Sequence, residues 1–410
     1  MDEPYAYVFN CATNRLEKAK TATDVKFGTL GIGMRGISHR LSRSKGEYMK
    51  VYGEPTRSIR SLDNGTSIEI VDQTLLPYRF EKRVLSDWRD CVEAIRTMRV
   101  RGAPLIGITG AWAVVLAVKE NPENDALLKA AEVIANARPT AVNLSWAVRR
   151  MMGTLLPRTP ALRFETAVKM AEMMTQEDVE ICRAIGEAGM TLISDLYTKL
   201  RRPVNVLTHC NAGWLATVDY GTALSPIYMA FEQGTPLHVW VDETRPRNQG
   251  LLTAWELGQH GVPYTLVADN AGGQLMQQGD VDLVIVGADR ITRRGDVANK
   301  IGTYLKALAA SDNEVPFYVA APSSTIDWTL NDGKREIPIE NRAASELLVV
   351  NGIGSDGTVR SVQIAASDVA VTNPAFDVTH NRFVTGIITE RGIVKPTDLV
   401  TVFADLLPKG

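Results

Sequence analysis

The chain lacks the residue groupings that hold metals and disulfides. Its four cysteines, Cys11, Cys91, Cys182 and Cys210, form no CxxC pair and no regular framework, which implies reduced thiols in a cytoplasmic protein. Its five histidines fall into no HxxxH or HExxH pair, so no metal is expected. Neither sign of charge dominates: 45 basic against 47 acidic residues leave a net charge of −2, which gives no reason to expect nucleic acid or a membrane surface as partner. The opening MDEPYAYVFN lacks the basic-then-apolar pattern of a signal peptide, and no run reaches the roughly 18 apolar residues of a membrane span. What is present is an ordinary globular composition, 45% hydrophobic over 410 residues. That is enough for two or three domains with a large core.

Residues 1–55 read as an extension. Arg35, Arg40, Arg43, Lys45 and Lys50 make its later half basic, and Gly31, Gly33 and Gly36 interrupt any helix. Such a segment packs on the body or on a partner subunit, with a nucleic-acid arm as the alternative. Residues 56–199 are expected to form a mostly helical domain behind a small sheet. Ser67–Val71 reads as a strand, 75–77 as a turn, and 87–98 as an amphipathic helix with Trp88, Val92, Ile95 and Met98 on its apolar face. Ser86 or Asp87 can cap it. The run from Arg99 to Pro104 then leads into a helix of small apolar residues over 105–118. Gly102 permits a close backbone approach, and the first amides of that helix, with Arg101 beside them, can bind an anion. A solvent-exposed Gly-Pro loop reads the same way. Further helices are expected over 126–137, from Arg138 on to about Leu156, and over 165–198 with an interruption around Gly186 and Gly189.

From residue 200 the rhythm changes to alternating strands and helices. Val204–Thr208, 237–241, 264–268, Leu283–Val286 and Phe317–Ala320 are short apolar runs, separated by helical stretches long enough for right-handed crossovers. The expected fold class is α/β: a doubly wound parallel sheet over 200–410, with the smaller helical domain in front of it. No GxGxxG follows the first of these strands and no GxxxxGK[ST] loop occurs, so nicotinamide and nucleotide chemistry are disfavoured and no cofactor is expected.

Ligands in such sheets bind outside the carboxyl ends of the strands. Cys210 stands there after Val204–Thr208, in a turn expected to lead into a helix whose positive end would lower its pKa. A buried structural cysteine fits the same position. Asp289 follows the apolar strand Leu283–Val286 and should share that edge; a partly desolvated carboxyl there has a raised pKa and suits a general acid. Asn299 and Lys300 read as opening a helix, where a lysine suits a phosphate. A helix-capping Asp and a solvated Lys are the plain alternatives.

Ten blocks taken together carry a resemblance: DQTLLP (72–77), MRVRGAP (98–104), ARPTAVNL (137–144), THCNAG (208–213), YGTA (220–223), VDETRPRNQG (241–250), LTAWEL (252–257), VGADRI (286–291), GDVANKIGTY (295–304) and NPAFDVT (373–379). Over this span the chain resembles the methylthioribose-1-phosphate isomerases, in the superfamily that includes translation initiation factor 2B subunits and ribose-1,5-bisphosphate isomerases. The resemblance implies aldose–ketose isomerisation of a sugar 1-phosphate by a homodimer without a cofactor. It implies Cys210 and Asp289 as the catalytic pair and Arg101, Gly102, Ala103, Arg138, Gln249, Asn299 and Lys300 as substrate ligands. The alternatives are a sister isomerase acting on 5-deoxyribose 1-phosphate or ribose 1,5-bisphosphate, and a regulatory subunit without activity. Trp214 is a candidate wall for the 5-substituent, or a core residue. Two departures from the family stand out: the extension before Thr56, and a stretch between Gln249 and Thr253 one residue shorter than is usual.

Overall fold

The computed structural model of the protein describes residues 7–10, 15–18, 49–138 and 141–407. Of the basic extension, Arg35, Arg40, Arg43 and Lys45 lie outside the described residues, whereas Met49 and Val51 are buried against the body.

The helical part begins with an antiparallel sheet of Ile59–Leu62 (β1), Ser67–Val71 (β2) and Lys82–Leu85 (β3). Trp88–Arg96 (α1) starts behind Asp87, whose carboxylate accepts the Arg89 amide at 2.7 Å, so the cap is Asp87 rather than Ser86. Ala103–Glu120 (α2) is apolar on every side, and by length and composition alone it could cross a membrane. The expectation that no run is this apolar is therefore corrected. The reason is packing: 89% of the helix is buried, among α1, Asn124–Ala135 (α3), Val142–Leu155 (α4) and Pro160–Leu200 (α5). A helix hydrophobic all round belongs in a core of this kind.

The expected interruption of α5 at Gly186 and Gly189 does not occur; the helix runs unbroken for 41 residues. The glycines are there for contact. A Cβ on Gly186 would lie 2.2 Å from Ser225 Oγ, and one on Gly189 would lie 2.5 Å from Pro226 Cγ. They let Ser225–Glu232 (α6) approach the backbone of α5.

The second part is a seven-stranded sheet. Its strands are Val204–Thr208 (β4), Leu237–Asp242 (β5), Tyr264–Val267 (β6), Leu283–Val286 (β7), Phe317–Ala320 (β8), Gly386–Thr389 (β9) and Gly392–Val394 (β10). Their order is β6-β5-β4-β7-β8-β9-β10, parallel except for β10. Val204 and Val206 face α5, α6 and Gly250–Gln259 (α7), while Leu207 faces Ala271–Gln277 (α8) and Thr303–Asp312 (α9). The sheet is thus covered on both faces, as doubly wound sheets are. From β4 the chain winds outward one way through β5 and β6, then returns beside β4 with β7 and winds the other way. The reversal opens a crevice between β4 and β7. A second, four-stranded sheet of Arg290–Thr292, Val297–Lys300, Ile326–Asp327 and Phe376–Thr379 stands beyond that edge.

Candidate active site

Cys210 follows β4 and Asp289 follows β7, neighbouring parallel strands, so both emerge at the reversal crevice. They line one cleft of about 720 Å³, counting its mouth, and Arg101, Gly102, Ala103, Arg138, Gln249, Asn299 and Lys300 line it too. All nine residues singled out from the sequence therefore converge, although they come from six separate segments.

No helix follows the Cys210 turn, contrary to expectation. Residues 211–224 are irregular, with one 3-10 turn at Trp214–Ala216, and α6 starts only at Ser225. Cys210 itself is left-handed (φ 69°). Its amide donates to Thr244 Oγ1 at 2.8 Å and its carbonyl accepts from Thr253 Oγ1 at 2.7 Å. Its thiol pKa is raised rather than lowered: burial pushes it up, and Arg101 and Lys300 oppose this only in part. The Asp289 carboxyl makes no hydrogen bond to the described residues. Burial raises its pKa as well, against the pull of Arg138, Arg101 and Lys300.

Gly102 precedes α2 with φ 92°, and a Cβ there would lie 2.5 Å from Ala216 Cα. Only glycine lets the start of α2 close against the loop that follows Cys210. Arg101 is buried (8% exposed) and spends both terminal nitrogens on Asn211. Arg138 lies 3.6 Å from Glu340, and its buried Nε has no partner among the described residues. Gln249 is buried at the start of α7, and its Oε1 has no partner among the described residues. Asn299 donates to Thr303 Oγ1 at 3.0 Å. Lys300 is buried (5% exposed), its pKa lowered by burial. It ends the Val297–Lys300 strand and does not open a helix; α9 begins at Thr303, behind Gly302. An unpartnered buried guanidinium N–H and buried cations lining a cleft suit an anionic group.

Several lining residues escaped the sequence reading. His209 sits between Asp242 Oδ2 (2.9 Å from Nδ1) and the Ile301 carbonyl (2.8 Å from Nε2). His209, Asn211 and Arg247 lie inside the THCNAG and VDETRPRNQG blocks, which was the signal available. Arg342 comes from a stretch with no such signal, and Glu346 holds both Arg247 (2.8 Å) and Arg342 (2.6 Å). Trp214 is not a cleft wall. It is fully buried, 6.1 Å from Trp255 between ring centroids. The apolar cleft surface is Met98, Pro104, Pro322 and Phe376. His209, Asp242 and Asp269 have the spacing of a cation site. The Lys306 ammonium already stands among them, 3.0 Å from Asp242 Oδ2 and donating to the Asp269 carbonyl.

The sequence profile described as the initiation factor 2 subunit family matches residues 99–396. A methylthioribose-1-phosphate isomerase of Methylorubrum populi is 55% identical over 351 residues, covering 85% of this chain and 96% of that one. One of Methylobacterium nodulans is 56% identical over the same length and coverage. The crystal structure of 5-methylthioribose 1-phosphate isomerase from Pyrococcus horikoshii OT3 superposes with a TM-score of 0.75 at 38% identity, covering 90% of this chain and 100% of that one. The A. fulgidus structure described as translation initiation factor eIF-2B, subunit delta, superposes with a TM-score of 0.69 at 40% identity, covering 85% and 99%.

Proposed function

Because the chain belongs to the initiation factor 2 subunit family, and within it to the methylthioribose-1-phosphate isomerases, we propose that it converts 5-methylthioribose 1-phosphate to 5-methylthioribulose 1-phosphate. The observation that carries the reading is the meeting of Cys210 and Asp289 at adjacent strand ends, in a cleft ringed by Arg101, Arg138 and Lys300. The three cations, with the amides of Gly102 and Ala103, would take the phosphate, and Gln249 and Asn299 the sugar hydroxyls.

The phosphate on C1 prevents spontaneous ring opening, so an acid must protonate the ring oxygen as the C1–O bond breaks. Asp289, held towards its neutral form by burial, is that acid. Hydrogen then passes from C2 to C1. C1 is reduced, C2 is oxidised to the ketone, and the C2 hydroxyl proton returns to the Asp289 carboxylate, which closes the cycle. In one route the hydrogen moves as hydride, with Cys210 shaping the pocket. In the other a Cys210 thiolate takes the C2 proton and returns it at C1 through an enediol. The raised thiol pKa favours the first route, because it leaves little thiolate at neutral pH. The apolar surface of Met98, Pro104, Pro322 and Phe376 suits a methylthio group, while Arg247 and Arg342 are already paired with Glu346. That pairing disfavours a second phosphate at C5. In this reading the protein works in the cytoplasm as a homodimer, without nucleic acid or membrane partners; a monomer in sedimentation at micromolar concentration would overturn the dimer.

The test is turnover of aldose 1-phosphates with varied C5 substituents, read as ketose formed. Asp289→Asn keeps the shape but cannot donate the proton, and should lose about 10²–10⁴-fold in kcat. Wild-type rates in that variant remove Asp289 from the reaction. In heavy water, solvent deuterium at C1 of the ketose would establish proton transfer. Its absence, together with substantial activity in Cys210→Ser, would establish the hydride route.

A further inference from the structure

Helix α7 lies behind the turn that carries Cys210, and its Glu256 is fully buried (0% exposed). The Glu256 carboxylate accepts four hydrogen bonds: from Asn211 Nδ2 at 2.8 Å, the Trp214 amide at 3.0 Å, the Leu215 amide at 3.1 Å and the Tyr228 hydroxyl at 3.0 Å. Every partner is a donor, so the position calls for two accepting oxygens and no N–H. Gly213 passes so close that a Cβ on it would fall 1.8 Å from Glu256 Oε2. Nearly one turn earlier on α7, Thr253 Oγ1 donates to the Cys210 carbonyl at 2.7 Å. The helix thus grips both ends of the 210–215 turn.

The contacts continue into the cleft. With its Nδ2 committed to Glu256 and, at 3.2 Å, to Thr253 Oγ1, Asn211 has only Oδ1 to offer on its other side, and Arg101 Nη1 donates to it. Arg101 Nη2 donates to the Asn211 carbonyl at 2.6 Å. The guanidinium that lines the cleft is therefore aimed by Asn211, whose side-chain amide is in turn oriented by the Glu256 carboxylate together with the Thr253 hydroxyl. Burial pushes the Glu256 carboxyl up to about 7, and its hydrogen bonds and Arg101 counter this.

The geometry points to Glu256 as a positioning residue of the isomerase: it orients Asn211, and through Asn211 it aims Arg101 at the substrate. The inference rests on the cleft being the isomerase site. Glu256 touches no substrate in this account and acts only through Asn211 and Arg101.

A double-mutant cycle tests it. Glu256→Gln sets an amide donor against the donors now facing the carboxylate. It should lower kcat/KM about 10–100-fold, the worth of one charge-assisted contact. Arg101→Ala should lose about as much, and adding Glu256→Gln to Arg101→Ala should cost nothing further. Tyr228→Phe removes a donor to Glu256 that bonds no atom of the turn, and should stay within about threefold of wild type. Should Gln at 256 prevent folding, Glu256→Asp, which keeps the charge but withdraws it by one methylene, runs the same cycle. Protection of Cys210 from iodoacetamide by inorganic phosphate provides a second readout that needs no turnover. There, Glu256→Gln should weaken protection in the wild-type background but not in Arg101→Ala. Additive losses, a fully active Glu256→Gln, or a Tyr228→Phe loss equal to that of Glu256→Gln would each overturn the positioning role. A phosphate cycle that couples as expected in an enzyme that leaves methylthioribose 1-phosphate unchanged would overturn the substrate reading and leave the positioning role standing.

Discussion

Asp289 faces Arg138, Arg101 and Lys300, each of which favours its ionised form, yet burial raises its pKa all the same. Arg138 is the strongest of those opposing charges, so its loss has two consequences. Arg138→Ala should cost about 1.5–3 kcal/mol in substrate binding, or about 10–150-fold in kcat/KM. It should also raise the Asp289 pKa further. A general acid fails as pH climbs through its pKa, so the alkaline limb of the pH–rate profile should move to higher pH in the variant. Unchanged kinetics, or a limb that moves down, would remove Arg138 from the site. At this scale the sequence was informative where chemistry and strand ends coincide. Cys210 and Asp289 could be placed at one edge because each ends an apolar run. Arg342 could not, because its route to the cleft depends on Glu346 and Glu340, which no periodicity announces. The direction of the Cys210 pKa was misjudged for a local reason: without a helix at residue 211, burial has no dipole to oppose it.

Among the elements, α5 meets the 217–220 loop through the buried Asp178, and the loop carries a buried acid of its own, Asp219. Asp178 accepts the Val218 amide at 2.8 Å, and Asp219 accepts the Met49 and Tyr220 amides at 3.1 and 2.9 Å. Burial pushes Asp178 up to about 7 from the usual 3.8. Between about pH 4 and pH 7 the native state therefore holds a proton that the unfolded chain has released, so stability falls as pH rises through that window. Asp178→Asn keeps an acceptor for Val218 and removes the titration. It should raise Tm relative to wild type at pH 8 and change it little at pH 5; an equal shift at both values would refute the assignment. Most helices and the first five sheet strands could be read from the sequence because their apolar residues form compact runs or recur along one face. The last two strands, β9 and β10, were missed: Gly386–Thr389 and Gly392–Val394 are only four and three residues long. The four-stranded sheet beyond the crevice was also missed, since its strands of two to four residues pair across long intervals, as Val297 does with Thr379. Gly186 and Gly189 looked like breaks because glycine lowers helix propensity, and nothing local reveals that α6 needs their bare backbone.

For the molecule as a whole, the cleft takes Arg101, Gly102, Ala103 and Arg138 from the helical part and Cys210, Gln249, Asp289, Asn299 and Lys300 from the sheet part. Neither part holds a complete site. They are joined by more than the cleft. At 41 residues α5 is about 60 Å long. Ala167, Ala171, Met174 and Val179 on it belong to the first core, and Ile185 and Ile193 to the second. A rigid rod shared by two cores cannot melt at one end while the other stays packed. Scanning calorimetry should accordingly give one peak with matching van't Hoff and calorimetric enthalpies, and two resolved peaks would contradict this. The helix acts as a common keel. A lineage that inherited this plan could vary the loops around the crevice freely, but it could not lend out its sheet as a detachable module, because either piece would leave carrying half of the other's timber.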